Sequence, residues 1–105
     1  MAFNKNIFEL ALHNSSFRQI VVTGEHSQLV LMSVPVGGEI GEEIHDVDQT
    51  LVFVSGHGRA ILNGHSSDVY AQHLVFVPAG TKHNFKNVGS DELKLFTIYA
   101  PAEHE

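Results

Sequence analysis

From Phe17 onward the chain runs in short apolar stretches rich in β-branched and aromatic residues, each closed by Gly, Pro, Asn or Asp. Breaks of that kind about every 8 to 12 residues are the pattern of an all-β chain. They predict strands over 17–23, 28–34, 42–45, 50–55, 58–62, 67–71, 74–77, 83–87 and 93–99. Asn63-Gly64 tolerates positive φ at both residues and predicts a two-residue hairpin. One helix is expected, capped by Asn6, carried by Ile7, Phe8, Leu10, Ala11 and Leu12, and ended near Asn14-Ser15-Ser16. Many short strands joined by turns form an antiparallel sandwich or barrel. A small barrel either fills with its own side chains or holds one small ligand.

Composition narrows the class. A chain of 105 residues with 43% hydrophobic and 17% charged residues has room for one ordered domain, 1–105, with its barrel at about 17–100. The net charge of −6 turns away phosphate backbones and anionic lipid, so neither nucleic acid nor a membrane surface is an expected partner. No run reaches the roughly 20 apolar residues of a membrane span, and the start lacks a signal-peptide core. Without cysteine there is no disulfide and no thiolate chemistry, which points to a cytoplasmic protein. Eight histidines are many for this length, although His104 belongs to a terminal Glu-His-Glu expected to be solvated.

Two separated segments hold the candidate chemistry. Residues two apart on a strand share a face, so Glu43 and His45 point the same way. Gln49 rejoins that direction beyond the Asp46-Val47-Asp48 turn, and His83 arrives after the Pro78-Ala79-Gly80 turn. Imidazole, carboxylate and amide oxygen all bind divalent first-row metals, and the four residues together carry one negative charge. Such a site supplies Lewis acidity, the chemistry that no covalent nucleophile here provides. No Ser-His-Asp order, phosphate-cradling loop or dinucleotide fingerprint is present, and no catalytic residue is assigned.

These residues also fit a known pattern. The chain resembles the RmlC-like cupin superfamily, whose first motif is Gly, five residues, His-x-His, three or four residues, Glu, six residues, Gly. Gly37, Glu43, His45, Gln49 and Gly56 fall at those intervals. The second motif ends in Pro-x-Gly, two residues, His, three residues, Asn, matched by Pro78, Gly80, His83 and Asn87. Three positions depart: Glu43 stands for the first histidine, Gln49 for the glutamate, and Gln72 for the glycine that opens the second motif. The first two changes conserve the formal charge of the ligand set, which reads as a re-ordered site.

The resemblance implies a double-stranded β-helix, the jelly-roll barrel of cupins, with a divalent ion (Fe, Mn, Ni or Zn) near one mouth. It implies a metal-dependent enzyme on a small oxygen-rich metabolite, of dioxygenase-like or sugar and uronate isomerase-like type. The alternative is a metabolite- or carbohydrate-binding module without turnover, with or without metal. It also implies a homodimer, for which 17–22 or 28–34 are natural edge strands. Other residues have weaker claims. His26, His57 and His65 are expected in solvated loops; Phe53, Phe76, Phe85 and Phe96 are core or cavity wall; Tyr99 is a candidate phenolic donor to the pocket.

Overall fold

Asn6 begins the ordered elements: its side-chain oxygen accepts from the Glu9 N–H at 3.1 Å, satisfying one of the free donors at the start of helix α1, Ile7–His13. The computed structural model describes residues 2–102, so His104 lies outside the described residues. Eight strands follow: β1 Arg18–Thr23, β2 Gln28–Val34, β3 Asp48–Ser55, β4 His57–Leu62, β5 His65–Tyr70, β6 Leu74–Val77, β7 His83–Asn87 and β8 Leu93–Ala100. They form a five-stranded antiparallel sheet in the order β1-β2-β8-β3-β6 and a three-stranded sheet in the order β5-β4-β7. The antiparallel layers are those expected from the strand pattern, and the all-β jelly-roll barrel with a short N-terminal helix is the form that the resemblance implies.

Alternation decides what each sheet buries. Val30, Leu51, Phe53, Leu93 and Leu95 of the larger sheet and Ala60, Val69 and Phe85 of the smaller face one another, all at most 2% exposed, and make the core between the layers. The outer face of the larger sheet is apolar as well, and α1 covers part of it by packing on Leu31, Val54 and Phe96. Phe8 meets Phe96 edge to face at 5.9 Å. Phe53 and Phe85 are therefore core, whereas Phe96 lies under the helix and Phe76 is 49% exposed on the outside, so neither walls a cavity.

The turns follow their residues. Asn63 and Gly64 have φ of 49° and 84°, the pair of left-handed residues that a tight hairpin between β4 and β5 needs. Gln72, in place of the expected glycine, holds φ of 76° and keeps the turn in a conformation glycine would adopt without strain. Asn87 is buried and structural: its Nδ2 donates to the carbonyls of Val34 and Asp91, both at 2.9 Å, and its Oδ1 accepts from the Gly89 N–H.

Two expectations are corrected. The strand expected at 42–45 is an extended segment beside β7 with two isolated bridges, Glu39↔Lys86 and Glu43↔His83. Four residue steps on one side oppose three on the other, so one extra residue breaks the ladder, which is a β-bulge. The stretch at 28–34 is no edge: β2 lies between β1 and β8, and β1 and β6 are the edges of the larger sheet.

Candidate metal centre

The inward face of the larger sheet ends, at one mouth of the barrel, in a row of cross-strand neighbours. Thr23 of β1 pairs with Gln28 of β2, Gln28 with Tyr99 of β8, Tyr99 with Gln49 of β3, and Gln49 with Val77 of β6. From the facing side, the bulged segment brings Glu43 opposite His83 at the start of β7, joined by reciprocal backbone hydrogen bonds of 2.9 Å. His45 follows two residues later, its carbonyl fixed by the Gly80 N–H at 2.7 Å. The Pro78–Gly80 turn thus holds the segment that carries His45, and β7 holds Glu43.

Ligand-type atoms of Glu43, His45 and His83 all lie within 4.8 Å of one another. His45 Nε2 is 3.3 Å from Glu43 Oε1, and the two imidazole rings have centroids 5.2 Å apart. Burial is graded: His83 is 3% exposed, the His45 side chain 15% and the Glu43 side chain 45%, so the carboxylate stands at the mouth. Tyr99 is buried with its ring edge to face against His45 at 5.4 Å, and Gln49 is its neighbour in register on β3. Three of the residues expected from the sequence form a tight cluster, and Gln49 lies on β3 beside Tyr99, whose ring meets His45.

Hydrogen bonding decides which atoms are available. The His83 Nδ1–H donates to the Thr81 carbonyl at 2.8 Å, which leaves Nε2 with its lone pair directed elsewhere. The Gln49 Nε2 donates to Thr97 Oγ1 at 3.0 Å, and the Thr97 hydroxyl donates onward to the Thr50 carbonyl at 3.0 Å, which makes Oε1 the amide atom that is left. Buried polar atoms are nearly always partnered. Among the described residues, three buried side-chain atoms are not, and two of them are His83 Nε2 and Gln49 Oε1, with Gln28 Oε1 as the third. A buried acceptor left unmade costs about 1–3 kcal/mol. A cation is the partner that suits a neutral imidazole nitrogen and an amide oxygen together, so the donor set fits a divalent metal.

The orienting residues Thr81 and Thr97 escaped the sequence reading. Thr97 had a signal, a polar residue alternating with Leu95 and Tyr99 on an inward face; Thr81 had none. The remaining histidines lie elsewhere. His26 is exposed beside Glu25, and His65 opens β5 on the surface. His57 corrects its loop assignment: it starts β4, stacks on Tyr70 with centroids 4.4 Å apart, and approaches Asp68 at 3.3 Å. Arg59 donates twice to the same Asp68 oxygen, and that hydrogen bonding, with His57 adding to it, holds the carboxyl below the ordinary carboxylate range.

Comparison with known proteins decides the family. The model of the cupin domain matches residues 30–99, two-thirds of the chain, and spans both segments of the site. This chain belongs to the cupin family. A relative of this cupin from Bacillus subtilis, the uncharacterised protein YrkC, is 43% identical over 110 residues, covering 97% of this chain and 59% of its own length. The chain spans about three-fifths of the length of the curated relatives it matches. The crystal structure of BH2720 from Bacillus halodurans superposes with a TM-score of 0.98 at 38% identity, covering all of this cupin and 85% of that chain. A predicted oxalate decarboxylase from Thermotoga maritima shares the fold at a TM-score of 0.70 and 20% identity, covering 73% of this chain and 68% of its own.

Proposed function

We propose that this cupin binds one divalent first-row metal through Glu43, His45, Gln49 and His83 and is a metal-dependent enzyme acting on a small, oxygen-rich metabolite in the cytoplasm. The observation that carries the reading is the pair of buried acceptors without a protein partner, His83 Nε2 and Gln49 Oε1, at the mouth where Glu43 and His45 converge. A bound dication would supply Lewis acidity toward substrate oxygens. The chain's own residues divide the remaining work. Glu43 gives the set its single negative charge and stands where a substrate enters. His83 and Gln49 form the buried floor, backed by Phe85, whose ring lies 6.1 Å from that of His83. An open hollow of about 640 Å³, bounded by Ile44, His45, Asp46, Ala79 and Gly80, reaches the site at His45.

Elemental analysis of protein purified without an affinity tag tests the metal, and stoichiometric Fe, Mn, Ni or Zn is the expected result. Metal-free protein whose melting temperature does not respond to any of the four ions overturns the reading. Oxygen uptake with enol substrates then identifies dioxygenase chemistry, and solvent deuterium entering a sugar or uronate without oxygen uptake identifies isomerase chemistry. Thermal stabilisation of the loaded protein by a small acid or sugar that it never turns over gives the alternative, a binding module.

The same reading includes a homodimer, formed through the outer face of the larger sheet. Cross-strand pairing sets two rows there, Phe76–Thr50–Ile98–Leu29–Val22 and Leu74–Val52–Phe96–Leu31–Gln19, the second covered by α1 at Phe96 and Leu31. At about 4.8 Å between strands the rows run roughly 20 Å across the sheet. Leu74, Phe76 and Ile98 are 62%, 49% and 37% exposed, and a contiguous apolar patch of this kind is the mark of an association surface. Sedimentation at micromolar concentration is expected to give a dimer that Phe76→Glu dissociates; a wild-type monomer rules it out.

A further inference from the structure

Glu42 and Glu43 are adjacent acids, and the backbone decides which of them faces the site. The ladder that pairs Glu39 with Lys86 would, continued without interruption, set Glu42 opposite His83. Cross-strand partners project to the same face, and His83 points inward, so Glu42 would then be the inward acid. The bulge shifts the register by one. Ile40 still packs on the core, Glu43 takes the place opposite His83, Ile44 turns outward at 63% exposure, and Glu42 is left at the surface, 3.9 Å from Lys82.

Two residues hold that extra step. Gly41 has φ of +110°, where a side chain is strained although a Cβ there would meet nothing within 4 Å. Its N–H donates to Asn84 Oδ1 at 2.9 Å, so the side chain of Asn84 holds the extra step from the opposite strand. The same Oδ1 accepts the Phe85 N–H at 2.7 Å, and Asn84 Nδ2 donates to Glu39 Oε1 at 2.7 Å. Asn84 is 7% exposed and spans both strands just where their register slips.

We infer that Asn84, through the Gly41 bulge, is a positioning residue that selects Glu43 over Glu42 as the acidic ligand of the metal site. The inference rests on the metal reading above. Asn84 does not itself belong to the ligand set; it acts by fixing the register of the segment that delivers the carboxylate.

Cobalt(II) titrated into untagged protein, followed by its visible absorption, tests this together with amide hydrogen exchange at Gly41 in the metal-free protein. Asn84→Ala is expected to weaken cobalt binding by about 10–100-fold, the usual effect of losing an outer partner of a ligand. It should also alter the visible band and speed exchange at Gly41. Glu43→Ala should weaken binding comparably, Glu42→Ala should leave it unchanged, and the double variant Asn84→Ala/Glu43→Ala should bind no worse than Glu43→Ala, because two residues acting through one contact are not additive. Should Asn84→Ala fail to fold, Gly41→Ala disturbs the same bulge through backbone strain alone and is expected to reproduce the weakening. Wild-type affinity in the folded variant, or additive losses in the double variant, overturns the inference. A silent Glu43→Ala beside a His83→Ala that abolishes binding overturns it too while leaving the metal site standing, whereas wild-type protein that binds no cobalt overturns the metal reading itself.

Discussion

His83→Leu is expected to abolish high-affinity metal binding and yet leave the metal-free protein at least as stable as wild type. The two effects have separate causes. His83 is the most buried of the three clustered residues, and its Nε2 is the atom that no protein group satisfies. Removing a ligand should weaken metal binding by more than the roughly 10–100-fold that loss of an outer hydrogen-bond partner costs. In the metal-free chain the same nitrogen carries a desolvation penalty of about 1–3 kcal/mol, which leucine relieves. Against this, leucine forfeits the hydrogen bond from Nδ1 to Thr81, worth about 1 kcal/mol. Thermal melts with and without added metal check both halves. Wild type should gain stability on metal addition, by about 4 kcal/mol at a thousand times Kd, and the variant should gain none. A variant that is strongly destabilised without metal would show that His83 is a structural residue, and a variant that still gains stability would show that the ion binds elsewhere.

Phe53→Ala is expected to have the largest effect on the fold itself. Phe53 is fully buried in the middle of β3 and packs against Phe85 of the opposite sheet with ring centroids 5.7 Å apart. Its N–H and carbonyl also tie the turn before β6, through the His73 carbonyl at 2.9 Å and the Gln72 N–H at 2.7 Å, so backbone relaxation into the void is restrained. Loss of a buried phenylalanine side chain costs about 3–5 kcal/mol, a large part of the about 5–15 kcal/mol that holds a domain together. At about 4 °C or more per kcal/mol for a chain of this size, the melting temperature should fall by at least about 12 °C. A denaturant-unfolding loss below about 1 kcal/mol would mean that the two sheets close over the gap. By contrast, Phe76→Ala on the outer face should leave the monomer's stability nearly unchanged.

Phe53 and Phe76 also mark what sequence can tell. Both sit in apolar runs of the same kind, and alternation predicts that each run is a strand without telling which face is covered by a second layer. That depends on pairings between distant segments, which is also why 28–34 reads as a possible edge although β8, from the far end of the chain, pairs with it. Local chemistry was more legible. Asn6, Asn63-Gly64 and the Glu43-x-His45 pair each act over a few residues, and the structure shows the cap, the hairpin and the clustered pair. The bulge at Gly41 lies between the two cases. A single extra residue leaves composition and hydrophobicity unaltered, so 42–45 reads as plain strand, and the slip is visible only against β7.

The place of β8 bears on how the protein comes into being. It is the last strand of the eight, yet it occupies the middle of the larger sheet, hydrogen-bonded to β2 on one side and β3 on the other. Until it arrives, those two strands have no common neighbour, Gln49 has no Thr97 to orient its amide, and His45 has no Tyr99 ring to rest on. A chain growing from the ribosome therefore cannot complete the larger sheet around the site until residues 93–100 have been made. Closure of the barrel and assembly of the site are then one event, governed by contacts of long sequence separation, which are slow to form.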